Sequence, residues 1–434
     1  HFDRALMTAA AERLGAAVGG LEALVAPDGD PDNAGAKAEL AELLGRLGQV
    51  QIRTGDLDAA VANTAKGRDL CAKLRGLDPA SAKALRDLAQ AHERCGDALL
   101  ARAADARGGA ADAARGLTEY EAALELLADL VKRDADSAAA GLELARGWEK
   151  VGDGRLARKD AKGALEAFEA SVRLRREATI RDQASARAKR DLAVGLYKQA
   201  DASAAAGRLR DAHDLSAAAT RLLVAVTATD RESGQAKRDL AVAYGQWGQV
   251  LSGGGRPTGA VLVWQASLDR FRELAELDAG NRQAQAEEAA AWERLAGFYS
   301  AAGRTDRALA AARRAVKLWA DLWADVDTRT KSGQRRLALA RIRCGDLYTE
   351  VQDFDAAADW YGQALKDVSG ARADPLLGPV TELAQEKLLF LEAVRAGLAN
   401  PANLVDRRYD AVRVAVLRAV AAVEVRSDRP AEAA

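Results

Sequence analysis

Residues 134–185 read DADSAAAGLELARGWEKVGDGRLARKDAKGALEAFEASVRLRREATIRDQAS. Asp134 and Ser137 open this stretch, and Asp182 and Ser185 close it 48 residues later. A short polar residue just before a helical pattern is helix punctuation, because its side-chain oxygen satisfies a free backbone N–H of the first turn. Between the two signals lie Leu144, Ala145, Trp148, Val151 and Gly152, then a polar turn, then Ala164 and Phe168. Apolar residues at steps of three and four make one stripe of an amphipathic helix, so the stretch predicts two helices joined by a turn.

The same signal recurs along the chain. Asp30/Asn33, Asp78/Ser81, Asp134/Ser137, Asp182/Ser185, Asp230/Ser233, Asp278/Asn281 and Asp327/Thr330 are spaced by 48, 56, 48, 48, 48 and 49 residues. A Leu-Ala anchor moves with them: Leu40-Ala41, Leu88-Ala89, Leu144-Ala145, Leu192-Ala193, Leu240-Ala241 and Leu337-Ala338, with Glu288-Ala289 the variant. Seven positions after each Ala stands a small residue, Gly48, Gly96, Gly152, Ala200, Gly248, Ala296 or Gly345. A small residue inside the stripe lets a second helix approach closely. The second helix carries Ala60, Ala164, Ala212, Ala260, Ala308 or Ala357 near its start, often with a bulky residue four on, as in Phe168, Trp264 and Tyr361. A fixed period of this size predicts stacked units rather than one globular core.

The order Trp292, Leu295, Ala296, Tyr299, Ala308 resembles the tetratricopeptide repeat pattern, and Tyr244, Trp247, Gly248, Ala260, Trp264 and Cys344, Gly345, Tyr348, Ala357, Tyr361 are similar. The resemblance covers about residues 30–370 and departs from the common form in its longer period, which predicts lengthened helices. It implies an all-α fold: an α-solenoid, a right-handed superhelix of about seven helical hairpins with helical caps. Residues 1–29 are expected to be an N-terminal cap or the stub of a preceding repeat, 30–370 the seven repeats, 371–426 C-terminal capping helices (about 380–398 and 402–424), and 427–434 a disordered tail. The second repeat is eight residues longer, and the surplus is expected in its inter-helix turn, around Ala103 to Gly116.

The chain has 434 residues, 63 basic and 64 acidic, for a net charge of −1. There is no basic field to hold phosphate backbones, so nucleic acid is not an expected partner. No apolar run approaches the roughly 20 residues that span a bilayer. Cys71, Cys95 and Cys344 have no metal-like spacing, and Cys95 and Cys344 share one repeat phase, which reads as a small buried hydrophobe. The sequence begins with His1 and is read as a fragment of a longer protein; the expected location is cytoplasmic.

Catalysis needs convergent His, Cys or paired carboxylates. His92 stands at the stripe position that elsewhere holds Trp or Tyr and reads as a packed ring; His213 has no Cys or His near it. Gly253-Gly254-Gly255 follows no strand and lacks a Lys-Ser/Thr, so it reads as a hairpin turn rather than a phosphate loop. No catalytic residue, cofactor or metal is expected. Trp148, Trp247, Trp264 and Trp292 lie on packing stripes; Trp319 and Trp323 either pack on the seventh repeat or form an exposed pair.

The resemblance implies that the first helices line a concave groove for an extended peptide or a partner helix. One row there is Arg46, Arg94, Lys150, Lys198, Gln246, Arg294 and Arg343; three residues on come Gln49, Asp97, Asp153, Asp201, Gln249, Gly297 and Asp346. The row reads either as a solvated face neutralised by local i, i+3 pairs or as a ladder for a polar or acidic peptide. The neighbouring row, which includes Glu149 and Tyr197, has no repeated Lys or paired Asn, so the carboxylate clamp of related arrays is not visible. The candidate partner-binding residues are therefore Arg46, Arg94, Asp97, Glu149, Lys150, Asp153, Tyr197, Lys198, Asp201, Arg294 and Arg343. The expected function is a non-catalytic protein–protein interaction scaffold or adaptor. Two alternatives stand beside it: a sensing or docking region of a larger bacterial signalling enzyme such as a Ser/Thr kinase, and a self-associating structural protein.

Overall fold

Helix ends and helix starts are written by the same four residues. Asp78, Asp134, Asp182 and Asp230 each end a helix, their backbone N–H closing on a carbonyl four residues back. Three residues later the side-chain oxygens of Ser81, Ser137, Ser185 and Ser233 accept from the third N–H of the next helix at 3.1–3.2 Å. Asn33 and Asn281 do the same at 2.8 and 2.9 Å. Asp78 and Asp182 also accept from the Ser81 and Ser185 N–H, which locks the turn.

In this computed structural model the described residues are 2–395, apart from Pro31, 105–108, Ala279, 325–330 and 369–376. They form sixteen helices and no strand among the described residues. The Asp327/Thr330 signal, the helix expected at 402–424 and the tail at 427–434 lie outside them. The chain divides into two units, His1–Gly254 and Gly255–Ala434.

In the first unit α1 (Phe2–Leu24) precedes α2 (Ala34–Thr54), α3 (Leu57–Leu77), α4 (Ala82–Ala104), α5 (Ala110–Arg133), α6 (Ala138–Ala157), α7 (Ala161–Arg181), α8 (Ala186–Ala205), α9 (Leu209–Thr229) and α10 (Gly234–Gly253). Each of α2/α3, α4/α5, α6/α7 and α8/α9 is a packed hairpin, and each second helix packs on the next first helix. The second unit holds α11 (Pro257–Leu277), α12 (Arg282–Ala301), α13 (Thr305–Leu322), α14 (Lys331–Glu350), α15 (Phe354–Asp367) and α16 (Gly378–Arg395), with α12/α13 and α14/α15 as its hairpins. The fold is an all-α solenoid of helical hairpins, as the period predicts.

The phase-locked residues are the core. Ala145, Ala193, Ala241, Ala289 and Ala338 of the anchor are fully buried, as are Ala60, Ala164, Ala212, Ala260, Ala308 and Ala357 of the second helices. In three hairpins the small residue of the first helix meets a ring of its partner: a Cβ on Gly96, Gly152 or Gly345 would run into Tyr120, Phe168 or Tyr361, whereas Gly48 meets Thr64. The turn between the two helices needs one residue at positive φ, supplied by Gly55 and Gly207 at +86° and +78° but also by Lys159 and Gln352 at +63°.

The extra residues of the second repeat do not form a long turn. Residues 103–104 close α4, and 110–116 open α5, so helices of 23 and 24 residues absorb most of the surplus where neighbouring ones have 20 or 21. Continuing a helix satisfies each added backbone group, whereas a loop leaves it to water. Leu14, Val18 and Leu21 of α1 pack on Leu40, Leu44 and Leu47 of α2. Leu383-Ala384 of α16 repeats the anchor dipeptide, and Ala384 is fully buried.

Candidate functional site

First helices lie beside first helices in the first unit, α2 against α4, α4 against α6 and α8 against α10. This side-by-side packing determines how the charged row pairs. Lys150 Nζ reaches Asp97 Oδ1 of the preceding repeat at 2.6 Å, Lys198 Nζ reaches Asp153 Oδ2 at 2.6 Å, and Gln246 Nε2 donates to Asp201 Oδ2 at 3.0 Å. The basic member of one repeat thus pairs with the acidic member of the one before, not with the residue three positions along its own helix. The rungs keep part of their surface: Asp97 is 31% exposed, Lys150 27%, Asp153 35% and Lys198 25%.

Below the row lies a buried tier. Glu149 accepts from Lys198 Nζ at 2.8 Å and from Arg175 of α7, which also donates to the Asp191 carbonyl of α8. Burial alone would raise Glu149, but Lys198 and Arg175 outweigh it and hold its carboxyl below the usual range. Asp153 shares Lys198 and is pushed up by burial. Glu93, 6% exposed, is also pushed up by burial despite Arg146 at 3.2 Å. Arg94 is buried and bidentate on Glu42 at 2.7 and 3.1 Å, so it lies beneath the exposed row rather than in it. Arg46, largely exposed, shares Glu42. Tyr197 is half-buried against the core beside Leu196, and Ile52, Leu100 and Leu156 pack on core clusters.

In the second unit the row continues with other contacts. Arg294 is exposed and stacks over Trp264 at 5.4 Å. Arg343 is exposed beside Gly297, which stands where a carboxylate would complete the rung. Asp346 accepts from Tyr361 Oη and from Lys387 Nζ of α16, both at 2.8 Å. Asp97 likewise takes Tyr120 Oη at 2.6 Å as well as Lys150. Trp319 is buried with its indole N–H on Glu293 of its own hairpin at 3.0 Å and Arg336 of α14 over its ring at 5.3 Å, and Trp323 packs against Gly333 of α14, so both reach the seventh repeat.

Several participants escape the row-by-row reading: Glu42, Tyr120, Arg146, Arg175 and Glu119. His92 occupies its stripe position, but its Nδ1 lies 2.6 Å from Glu119 Oε2, while Glu119 Oε1 takes Arg68. His213 accepts from the Trp247 indole N–H at 2.9 Å. Cys71, Cys95 and Cys344 are buried, and burial raises their thiols to about 11, 11 and 12. No group of three or more metal-ligating side chains occurs among the described residues, and none of their helices is long and apolar enough to cross a membrane.

Asp201 has the weakest support in the ladder, because its partner is neutral. Burial raises it to about 6, beyond what Lys198 offsets. Beside it Gln246 Oε1 is buried without a donor. A carboxyl raised in the folded state favours folding when protonated, so this contribution is complete below the unfolded value of about 4 and is lost as pH rises through about 6. Asp201→Asn is expected to raise stability at pH 7 by about 1 kcal/mol and to flatten the pH 4–6 stability profile. Urea melts of both proteins across that window check this; an equal slope for the two would refute it.

No protein-family model matches the sequence, and no curated protein matches it. Solved structures do resemble it. One is the STAND signal-transduction ATPase with a tetratricopeptide repeat sensor from Pyrococcus horikoshii, 10% identical over 83% of this chain and 50% of that one, TM-score 0.46. The apo form of RapI is 10% identical over 88% and 98%, TM-score 0.46. Aspartyl phosphate phosphatase F from Bacillus subtilis is 14% identical over 91% and 95%, TM-score 0.44. This chain spans half the length of the archaeal ATPase.

Proposed function

We propose that the chain is a non-catalytic protein–protein interaction scaffold, and that its first-helix face receives an extended peptide or a partner helix. The observation behind this reading is the repeated rung: Asp97–Lys150, Asp153–Lys198 and Asp201–Gln246 place the same half-exposed donor–acceptor pair at successive repeats. Tyr197 and the cationic Arg46 extend the row in the first unit. Each pair is already oriented by its neighbour, so a partner binds without first ordering long side chains. The Asp97–Lys150 and Asp153–Lys198 rungs are neutral and the Asp201–Gln246 rung carries no positive charge, which favours a polar partner that alternates donors and acceptors over a polyanion. Arg294 and Arg343 offer exposed cations on the second unit.

A charge-reversal variant would break the ladder itself, so the test uses a neutral one. Peptides selected by display on the wild-type protein are expected to bind Asp97→Asn/Lys150→Gln about tenfold more weakly, with little change in melting temperature. Selected peptides that bind both proteins equally would overturn the reading.

A further inference from the structure

The charged row has an unfilled first place. On α4, α6 and α8 its basic member takes a carboxylate from the first helix before it: Arg94 from Glu42, Lys150 from Asp97 and Lys198 from Asp153. Those three side chains are 10%, 27% and 25% exposed. Arg46 opens the row on α2. The helices packed beside α2 are α1, α3 and α4, with no first helix before it among the described residues. Arg46 therefore falls back on Glu42 of its own helix and stays 61% exposed. The apolar side follows the same pattern. Ala98 of α4 is fully buried in a cluster on which Ile52 of the preceding first helix packs, and Ala202 of α8 in one on which Leu156 packs. Val50 of α2 stands in the same phase and is only half-buried.

The unfilled place is an open groove of about 700 Å³ between α1 and α2. Met7, Leu14 and Val50 give it apolar surface, and the exposed Arg13, Arg46 and Arg53 line it as well. No carboxylate lines it among the described residues, and Arg13 and Arg53 have no acidic partner among them. Arg53 departs from the repeat, since Ala101, Ala157, Ala205 and Ala301 stand in its phase. A terminal unit needs a polar outer face only for solubility, and charges of both signs supply that. Three like charges around uncovered apolar side chains instead repel one another and attract an acidic surface.

We propose that this groove is the docking site of an acidic amphipathic helix from a partner protein, lying beside α2 as α2 lies beside α4. The row prescribes its face. A carboxylate stands opposite Arg46, and an apolar residue three positions on covers Val50, the spacing of Asp97 with Leu100 and of Asp153 with Leu156. A second carboxylate seven residues after the first faces Arg53, which lies seven residues after Arg46. A second copy docked by the same face would set arginines against arginines, so charge selects a different chain. The site lies at the edge of the array and does not rest on peptide binding along the ladder.

The test uses a fluorescein-labelled 20-residue peptide, the length of α6, made of Ala, Gln, Leu and Glu in that spacing. Its twin has Lys for every Glu. By fluorescence anisotropy the Glu peptide should bind the wild-type chain about tenfold more tightly than the twin does. It should bind Arg13→Gln/Arg53→Gln about tenfold more weakly than the wild type. Both arginines are exposed, so this variant should keep its melting temperature and its helical circular dichroism. Neither belongs to a rung, so failure here and failure of the ladder reading are separate results. Met7 is the chain's one methionine, and a benzophenone placed at the Leu that covers Val50 should cross-link to it, read by peptide mass. Equal binding of the two peptides, equal binding by the variant, or cross-links only outside α1 and α2 would overturn the assignment. So would self-association of the chain that Arg13→Gln/Arg53→Gln abolishes, because the occupant would then be a second copy.

Discussion

Truncating Phe168 to Ala is expected to lower the unfolding free energy by about 3–5 kcal/mol, and Gly152→Leu by about 3 kcal/mol, yet the double variant should cost well under their sum. Phe168 is fully buried, and its ring lies where a Cβ on Gly152 would stand, 2.7 Å from two ring carbons. The ring fills the space that the glycine leaves. Removing the ring opens a cavity between α6 and α7; adding Leu to an intact pair drives the helices apart. Made together, the changes exchange a large residue on one helix for a large residue on the other, and Leu also gains roughly 1 kcal/mol of helix propensity over Gly. Each hairpin of a repeat array leans mainly on its neighbours, so the loss is local. Hydrogen exchange of α6 and α7 with and without each change measures it. Strict additivity would mean that the two residues do not compete for one space.

The same pair shows why so much of the fold was legible. Gly152 and Phe168 recur in phase as Gly96 with Tyr120 and Gly345 with Tyr361, so the period exposes the contact before any coordinates do. Tyr120 was the member hidden by the eight-residue surplus. Gly116 stands where Ala164 would, and the longer helices shift the count. The charged ladder was legible as a row but not as a set of bonds. Lys150 and Asp153 sit one helical turn apart, which suggests a local pair, whereas the observed partners are 53 residues apart for Lys150–Asp97 and 45 for Lys198–Asp153. That separation is one repeat less three residues, a signal the sequence carries once first helices are known to lie side by side.

Arg175→Met is expected to cost about 3 kcal/mol at pH 7, the low end for breaking a buried ion pair. Arg175 is 8% exposed and ties three helices together: its own α7, α6 through Glu149, and α8 through the Asp191 carbonyl. Met retains most of the stem volume, so the loss reports charge and hydrogen bonds rather than a hole. The cost stays at the low end because Lys198 remains 2.8 Å from Glu149. The pH dependence separates the two causes. Glu149 is held below the ordinary carboxylate range by Lys198 and Arg175 acting against burial. A lowered carboxyl contributes stability that is present above the unfolded value of about 4 and is lost as pH falls through the lower folded value. Without Arg175 the ionised Glu149 keeps its desolvation cost with one partner fewer, a penalty that fades once acid protonates it. The difference between wild type and Arg175→Met should therefore shrink from pH 7 toward pH 3, and the same difference measured in a Glu149→Gln background should lose most of that trend. Urea melts of the wild type, the two single variants and the double variant at both ends of the range are the measurement. A cost for Arg175→Met that does not change with pH would show that the guanidinium acts through packing and the Asp191 carbonyl alone, with Lys198 sufficient for Glu149.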